Sequence, residues 1–330
     1  MNGLEKEIFN LLVKIPNIPS QDVPFGKGYD DNTHIYQKNH HHPETKGQLK
    51  HWELIDKYKI GSFDLGNKIT GRGFPVYIDK GAKLQRSIIN FCLEEATKFG
   101  FIEYEVPILV NKESVFGTGQ YPDKDDQMYF IDKDDLYLVP TAEVPLTNIW
   151  RDVILDKIDL PILATSYTPC FRREAGTYGK DVRGLNRLHQ FDKVELVCIT
   201  TQDDSDIKLN LLTEYVKSLL DKLKITHRVI QLCGADMGFG AAKSYDIETW
   251  CPSQEKWLEV ATITNFETFQ SNRLKCRYKN GNEKKLTHTL NGTGLALPRI
   301  VATILETYQV DDGIIIPDCL VEFTKFNKIQ

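Results

Sequence analysis

The sequence predicts an α+β fold in which an antiparallel β-sheet is flanked by helices. Three observations carry this. Strand-like runs cluster in the middle of the chain, helical periodicities lie around them, and the two do not alternate as a parallel βαβ sheet would require. The chain has 330 residues, a length for about two average domains or one large unit. With 41% hydrophobic and 10% aromatic residues it can bury a sizeable core, which excludes a disordered chain or a disulfide-stapled miniprotein.

The elements follow in order. Leu4, Ile8, Leu11 and Leu12 form one apolar face of a helix over residues 4–15, and Pro16 and Pro19 end it. From Pro19 to Thr45 the chain is rich in Pro, Gly, Asp, Asn and His and reads as an exposed linker. Residues 82–99 give the clearest helix. Leu84, Ile88, Cys92, Ala96 and Phe99 recur at three- and four-residue steps, and Gly100 supplies the stop. Residues 101–106 read as a strand closed by Pro107. Further strands are expected at 127–131, 136–139, 162–167, 189–198, 227–232, 244–250 and 256–264, and helices near 142–151, 203–222 and 295–309.

Composition narrows the function. Forty-one basic and 46 acidic residues give a net charge of −5, which argues against a protein that coats DNA but leaves room for a nucleic acid met by a local basic patch. The seven cysteines are odd in number and none has CxxC spacing, so a reducing, cytoplasmic setting fits best. The first residues lack the basic and apolar regions of a signal peptide, and no segment reaches the ~20 apolar residues of a membrane span. Without a secretion signal, Asn291-Gly292-Thr293 reads as a chance glycosylation match.

Three patterns invite a wrong reading. Gly117-Thr118-Gly119 lacks the third glycine of a dinucleotide fingerprint, and Gly238 to Ser244 has Ala242 where a phosphate loop needs glycine before its lysine. His40-His41-His42 lies on a polar segment, where adjacent histidines do not converge on one ion, and reads as a solvated loop.

The densest chemistry runs from Phe171 to Glu195. Arg172 and Glu174 share a strand face, a span containing Gly176, Lys180 and Asp181 reads as a hairpin loop, and the returning strand puts Arg187, His189, Phe191, Lys193 and Glu195 on one face. Guanidiniums suit phosphates, an aromatic face suits a base, and carboxylates suit amino groups. For this stretch alone, a solvated ribbon of alternating charge is the competing reading.

The pattern Phe171-Arg172-x-Glu174, loop, then Arg187-x-His189-Gln190-Phe191-x-Lys193-Val194-Glu195 resembles motif 2 of the class II aminoacyl-tRNA synthetases, and its wording is similar to the seryl-tRNA synthetase family. Residues 82–107 resemble motif 1, the dimer interface. Asn111 to Ser114 with Gly117 to Gln120 is similar to the family's next loop, and Pro140 to Pro145 resembles its serine-binding loop. Residues 287–309 resemble motif 3. No HIGH-type or KMSKS-type sequence of the other synthetase architecture is present.

The resemblance implies a ligase that activates L-serine with ATP and transfers seryl to tRNA(Ser), and to tRNA(Sec) as a further acceptor. Arg172 would hold the α-phosphate and the serine carboxylate, Glu174 the adenine amino group, and Arg187 the outer phosphates. Phe191 would stack on adenine, with Arg299 on its other side. Arg173, Leu188, Val260 and Ala261 would complete the ATP site. Glu259 and Thr262 would hold Mg²⁺. Thr141, Ala142, Glu143, Arg172, Glu195, Asn291 and Thr293 would surround serine. Homodimerisation is implied by motif 1, and neither membrane nor DNA is expected as a partner.

Two departures concern hydroxyls. Thr262 ends a Glu259-Val260-Ala261-Thr262 segment that usually reads Glu-Ile-Ser-Ser, and Thr293 stands where serine is common; both keep the hydroxyl. Pro298 replaces a glycine at a helix start, where a missing N–H is tolerated. The resemblance divides the chain into a stub of the tRNA-binding arm (1–18), a linker (19–45) and a catalytic domain (46–330). A chain so short of the arm is expected to form adenylate but to charge tRNA poorly. Two other readings compete, an amino acid:carrier-protein ligase and an inactive paralogue. The first lacks its zinc cysteine at Thr141-Ala142-Glu143. Against the second stands the intact set Arg172, Glu174, Glu195, Glu259 and Arg299.

Overall fold

A computed structural model describes residues 3–42, 48–122, 126–174 and 183–330. Gly176, Lys180 and Asp181 of the expected hairpin loop, and residues 43–45 of the expected linker, lie outside them.

Eight strands form one sheet: β1 (Thr33–Lys38), β2 (Ile102–Glu103), β3 (Ile162–Phe171), β4 (Gln190–Thr200), β5 (His227–Gln231), β6 (Lys243–Cys251), β7 (Lys256–Glu267) and β8 (His288–Ala296). Their spatial order is β1-β5-β6-β7-β8-β4-β3-β2. Every neighbouring pair is antiparallel except β2 with β3. The α+β expectation therefore holds.

Three long helices cover one face of the sheet: α4 (Lys80–Phe99), α7 (Ser205–Lys222) and α9 (Leu297–Thr307). Leu84, Ile88 and Cys92 of α4, Leu212 and Leu219 of α7, and Ile300 and Ile304 of α9 join Val194, Leu196, Cys198, Ile263 and Leu290 of the strands in one core. Because side chains alternate along a strand, burying Leu196 and Leu290 in that layer turns Glu195, Asn291 and Thr293 to the opposite face. That second face carries the candidate site.

Several expectations change. The stretch read as an exposed linker contributes β1, which pairs with β5 at the sheet edge. Its polar side chains sit on the outer edge of a sheet, where only one rim needs burial. The strand expected at 101–106 shortens to Ile102–Glu103, and the one at 127–131 to Phe130–Ile131. The helix expected near 295–309 is preceded by a full strand, β8, whose glycines hid its period. Short helices went unpredicted, among them α2 (His51–Tyr58), α3 (Phe63–Ile69), α5 (Lys112–Gly117), α8 (Phe269–Leu274) and α10 (Asp318–Thr324). Against these, α1 (Gly3–Leu12) and α6 (Glu143–Asn148) fall within their expected ranges or at their edge. The apolar face of α4, in the segment that resembles the motif 1 dimer interface, is consumed inside the chain: Leu84, Ile88 and Cys92 are completely buried. The apolar residues left exposed beside it are Phe99 and Ile102.

Candidate active site

The open face of β4, β7 and β8, the start of α6 and the start of α9 enclose a cleft of about 220 Å³. Register builds its floor. Glu195 of β4 lies opposite Thr293 of β8, and Asn291 of β8 lies opposite Thr264 of β7.

At one end the floor is acidic and dry. Glu195 is fully buried and holds three donors: Thr141 Oγ1 at 3.0 Å, Asn291 Nδ2 at 3.1 Å and Lys193 Nζ at 2.6 Å. A carboxylate with a lysine and two neutral donors is a satisfied buried charge. Glu143, on the first turn of α6, is nearly as buried. Gln270 Nε2 donates to its Oε1 at 2.6 Å, and Thr289 Oγ1 donates in turn to Gln270 Oε1 at 2.8 Å. Burial, and then the negative charge of Glu195, raise the Glu143 carboxyl to about 7. A cationic group entering here would find a carboxylate ready to ionise.

The other end is cationic. Arg172, just past β3, sets its guanidinium 5.3 Å from the centre of the Phe191 ring and donates from Nε to the Pro140 carbonyl at 3.3 Å. Arg299, on the first turn of α9, donates from Nε to the Asn186 carbonyl at 3.1 Å and lies 3.3 Å from Glu259 Oε1. Arg187 pairs with Glu174.

An adjoining hollow that shares Glu259 and Thr262 with the cleft carries a group of acids, Asp246 and Glu248 among them. Thr262 Oγ1 donates to Asp246 Oδ1 at 2.7 Å and lies 3.4 Å from Glu259 Oε1. Glu248 accepts from Tyr29 at 2.8 Å and from Arg228 at 2.6 Å. Burial, then the charges of Glu259 and Glu248, push the Asp246 carboxyl well above its ordinary range.

Most residues named from the sequence come together. Thr141, Glu143, Arg172, Arg187, Leu188, Phe191, Glu259, Thr262, Asn291, Thr293 and Arg299 all line the cleft. Val260 and Ala261 line it too, but their side chains belong to the hydrophobic core, so they can offer only backbone. Glu195 lies beneath the floor with its oxygens already bonded. Ala142 is fully buried at the cap of α6. Arg173 turns aside: its Nε donates to the Met128 carbonyl at 3.2 Å and its guanidinium covers the Tyr129 ring. It follows Arg172 directly, so it points the other way.

Sequence reasoning overlooked Gln270, Asp246 and Glu248. The last two were legible, since acids two apart on an expected strand share a face. Gln270 gives no local signal, because it reaches Glu143 from 127 residues away.

Comparison with known proteins agrees with this geometry. The family described as "tRNA synthetase class II core domain (G, H, P, S and T)" matches residues 129–308. A serine--tRNA ligase of Salinibacter ruber is 49% identical over 97% of this chain and 75% of its own length. One from Prosthecochloris aestuarii is 46% identical over 100% of this chain and 78% of its own. Among solved structures, seryl-tRNA synthetase from Pyrococcus horikoshii, complexed with ATP, superposes with a TM-score of 0.94 at 33% identity, covering 99% of this chain and 78% of that one. With the motif residues gathered around one cleft and this identity across nearly the whole chain, the protein belongs to the seryl-tRNA synthetase family of class II aminoacyl-tRNA synthetases.

Proposed function

We propose that this protein activates L-serine with ATP and passes the seryl group to the 3′ end of tRNA(Ser). The observation that carries this reading is a single cleft with arginines at one end and a buried acid pocket at the other. Each end complements one reactant: triphosphate is polyanionic, and the amino acid brings an ammonium.

In the first step the serine carboxylate attacks the α-phosphorus in line; a P–O bond forms and pyrophosphate leaves with the electron pair of the broken P–O bond. The nucleophile is already an anion, so no base is needed. The work is placement and charge neutralisation. Arg172 neutralises the α-phosphate and orients the attacking carboxylate. Phe191 stacks on adenine with Arg299 on its other side near the γ-phosphate, Glu174 accepts from its amino group, and Arg187 holds the outer phosphates. Glu143 takes the serine ammonium, with Thr141, Asn291 and Thr293 around it. Glu195 keeps Thr141 and Asn291 aimed. In the second step a terminal ribose hydroxyl of tRNA attacks the seryl carbonyl, the ester forms and AMP leaves.

Glu259, Thr262 and Asp246 offer oxygen donors only, crowded enough for Asp246 to resist ionisation, and that donor set fits Mg²⁺. When bound, the ion would neutralise charge on the phosphate oxygens. Residues 46–330 form the catalytic unit, with β1 completing its sheet, and the unit works as a homodimer through the rim at Ile102.

Serine-dependent exchange between ATP and pyrophosphate, followed by charging of purified tRNA(Ser), tests the reading. Exchange with serine is expected. No exchange with serine, or exchange with glycine or alanine in its place, would overturn it.

A further inference from the structure

The histidines at 40–42 take no part in this chemistry, and they do not behave as one solvated cluster. His42 turns away, with Nε2 2.7 Å from the Lys224 carbonyl and its ring edge-on to Tyr308. His40 instead meets Asp221, near the end of α7, and His227, the first residue of β5. One potential ligand atom from each of the three lies within 4.8 Å of the others.

The His227 ring supplies the independent clue. It is fully buried, and its Nδ1 sits 2.8 Å from the Ile225 carbonyl. A carbonyl only accepts, so Nδ1 carries the proton and Nε2 is left with a lone pair. Among the described residues, that Nε2 has no hydrogen-bond partner. A neutral imidazole whose remote nitrogen is fixed by a backbone carbonyl is how proteins present a histidine to a metal. His40 is held ready: its N–H donates to Thr226 Oγ1 at 2.9 Å, its carbonyl accepts from the same hydroxyl at 3.2 Å, and its ring stacks on His227 at 6.3 Å.

We propose that His40, Asp221 and His227 form a site for a divalent transition metal, with Zn²⁺ the best match. Two imidazole nitrogens and one carboxylate oxygen make a three-ligand set, with a fourth position for water. Bonds of about 2.0–2.1 Å at tetrahedral angles put ligand atoms about 3.3 Å apart. His40 Nε2 and Asp221 Oδ1 already stand 3.2 Å apart. Lys38 is the competitor, with Nζ 2.8 Å from the same Oδ1. Its side chain is well exposed and can swing into solvent as the ion enters. The ion would pin the segment after β1 to α7 and β5. None of the three residues lines the catalytic cleft, so the site is independent of the proposed reaction.

The test is titration of chelator-treated full-length protein with Co²⁺ and Zn²⁺. One Co²⁺ per chain with the visible bands of a tetrahedral site is expected, and Zn²⁺ should raise the melting temperature. His40→Gln and Asp221→Asn, both partly exposed positions, should each weaken binding at least tenfold and abolish the zinc-dependent rise, while His41→Gln should leave both intact. Serine-dependent exchange should be the same in all three variants. Absence of stoichiometric binding, or binding that survives His40→Gln but fails in His41→Gln, would overturn the proposal.

Discussion

Glu143 and Glu195 are neighbouring buried carboxylates with different partners, and the difference sets what each can do. Glu195 is matched by Lys193 and two further donors, so its charge is spent inside the protein. Glu143 has Gln270 and stays partly protonated near neutrality. Its carboxyl is raised in the folded state, so its contribution to stability is full below the ordinary 4.5 and is lost as pH rises through about 7. Glu143→Gln should therefore unfold at a higher temperature than the parent above pH 7. The same variant should raise the KM for serine at least tenfold, since a hydrogen bond to a charged group contributes about 1.5–3 kcal/mol. Calorimetry at pH 6 and 8 beside exchange kinetics checks both halves. Arg172→Ala should cut the exchange rate about 10²–10³-fold, in the manner of other lost transition-state donors. Its melting temperature should fall by only a few degrees, because among the described residues Arg172 contributes one long hydrogen bond and a cation–π contact of about 0.5–1 kcal/mol to the fold.

At the scale of elements, α9 docks on α2 through Glu306. Its Oε1 accepts from the His51 N–H at 2.9 Å, from His51 Nδ1 at 2.8 Å and from Gln254 at 2.8 Å, and its Oε2 accepts from the Ser253 N–H at 3.1 Å. Burial alone would raise this carboxyl, but the hydrogen bonds from His51 and its neighbours outweigh it and hold the group below its ordinary 4.5. Its stabilisation is thus present above about pH 4.5 and lost as pH falls further. Glu306→Gln should cost about 1–3 kcal/mol at pH 7 and flatten the acid limb of the stability curve. Urea melts from pH 3 to 7 measure it. Helix α4 makes a second case. A glycine to alanine change inside a helix normally gains up to about 1 kcal/mol. At Gly81 a Cβ would meet the Ile60 carbonyl oxygen at 1.9 Å, so the sign reverses and Gly81→Ala should lose about 1–3 kcal/mol in thermal unfolding. Helix α4 was legible because its apolar residues recur over about four turns; α3 and α5, at seven and six residues, are too short for a period to emerge. Strand β1 was illegible for another reason: an edge strand buries little, so its sequence keeps the composition of a loop.

For the whole molecule, the exposed apolar side chain of Ile102 on the two-residue strand at the sheet rim is the basis for the dimer proposal. Ile102→Lys should shift the sedimentation coefficient toward the monomer value while leaving the far-ultraviolet circular dichroism unchanged; an unaltered mass would remove that assignment. The sequence by itself determined the α+β class, the helices with long periods and most of the cleft, because periodicity and ordered chemical motifs are local properties of a chain. Arg172, Phe191, Glu259 and Arg299 could be named without coordinates for that reason. Tertiary structure decided what each was free to do. It put Glu195 under the floor and turned Arg173 outward. It folded a supposed linker into the sheet, and it brought His40 beside a histidine 187 positions away. Such relations depend on register and packing between distant segments, and no window along the chain contains both partners.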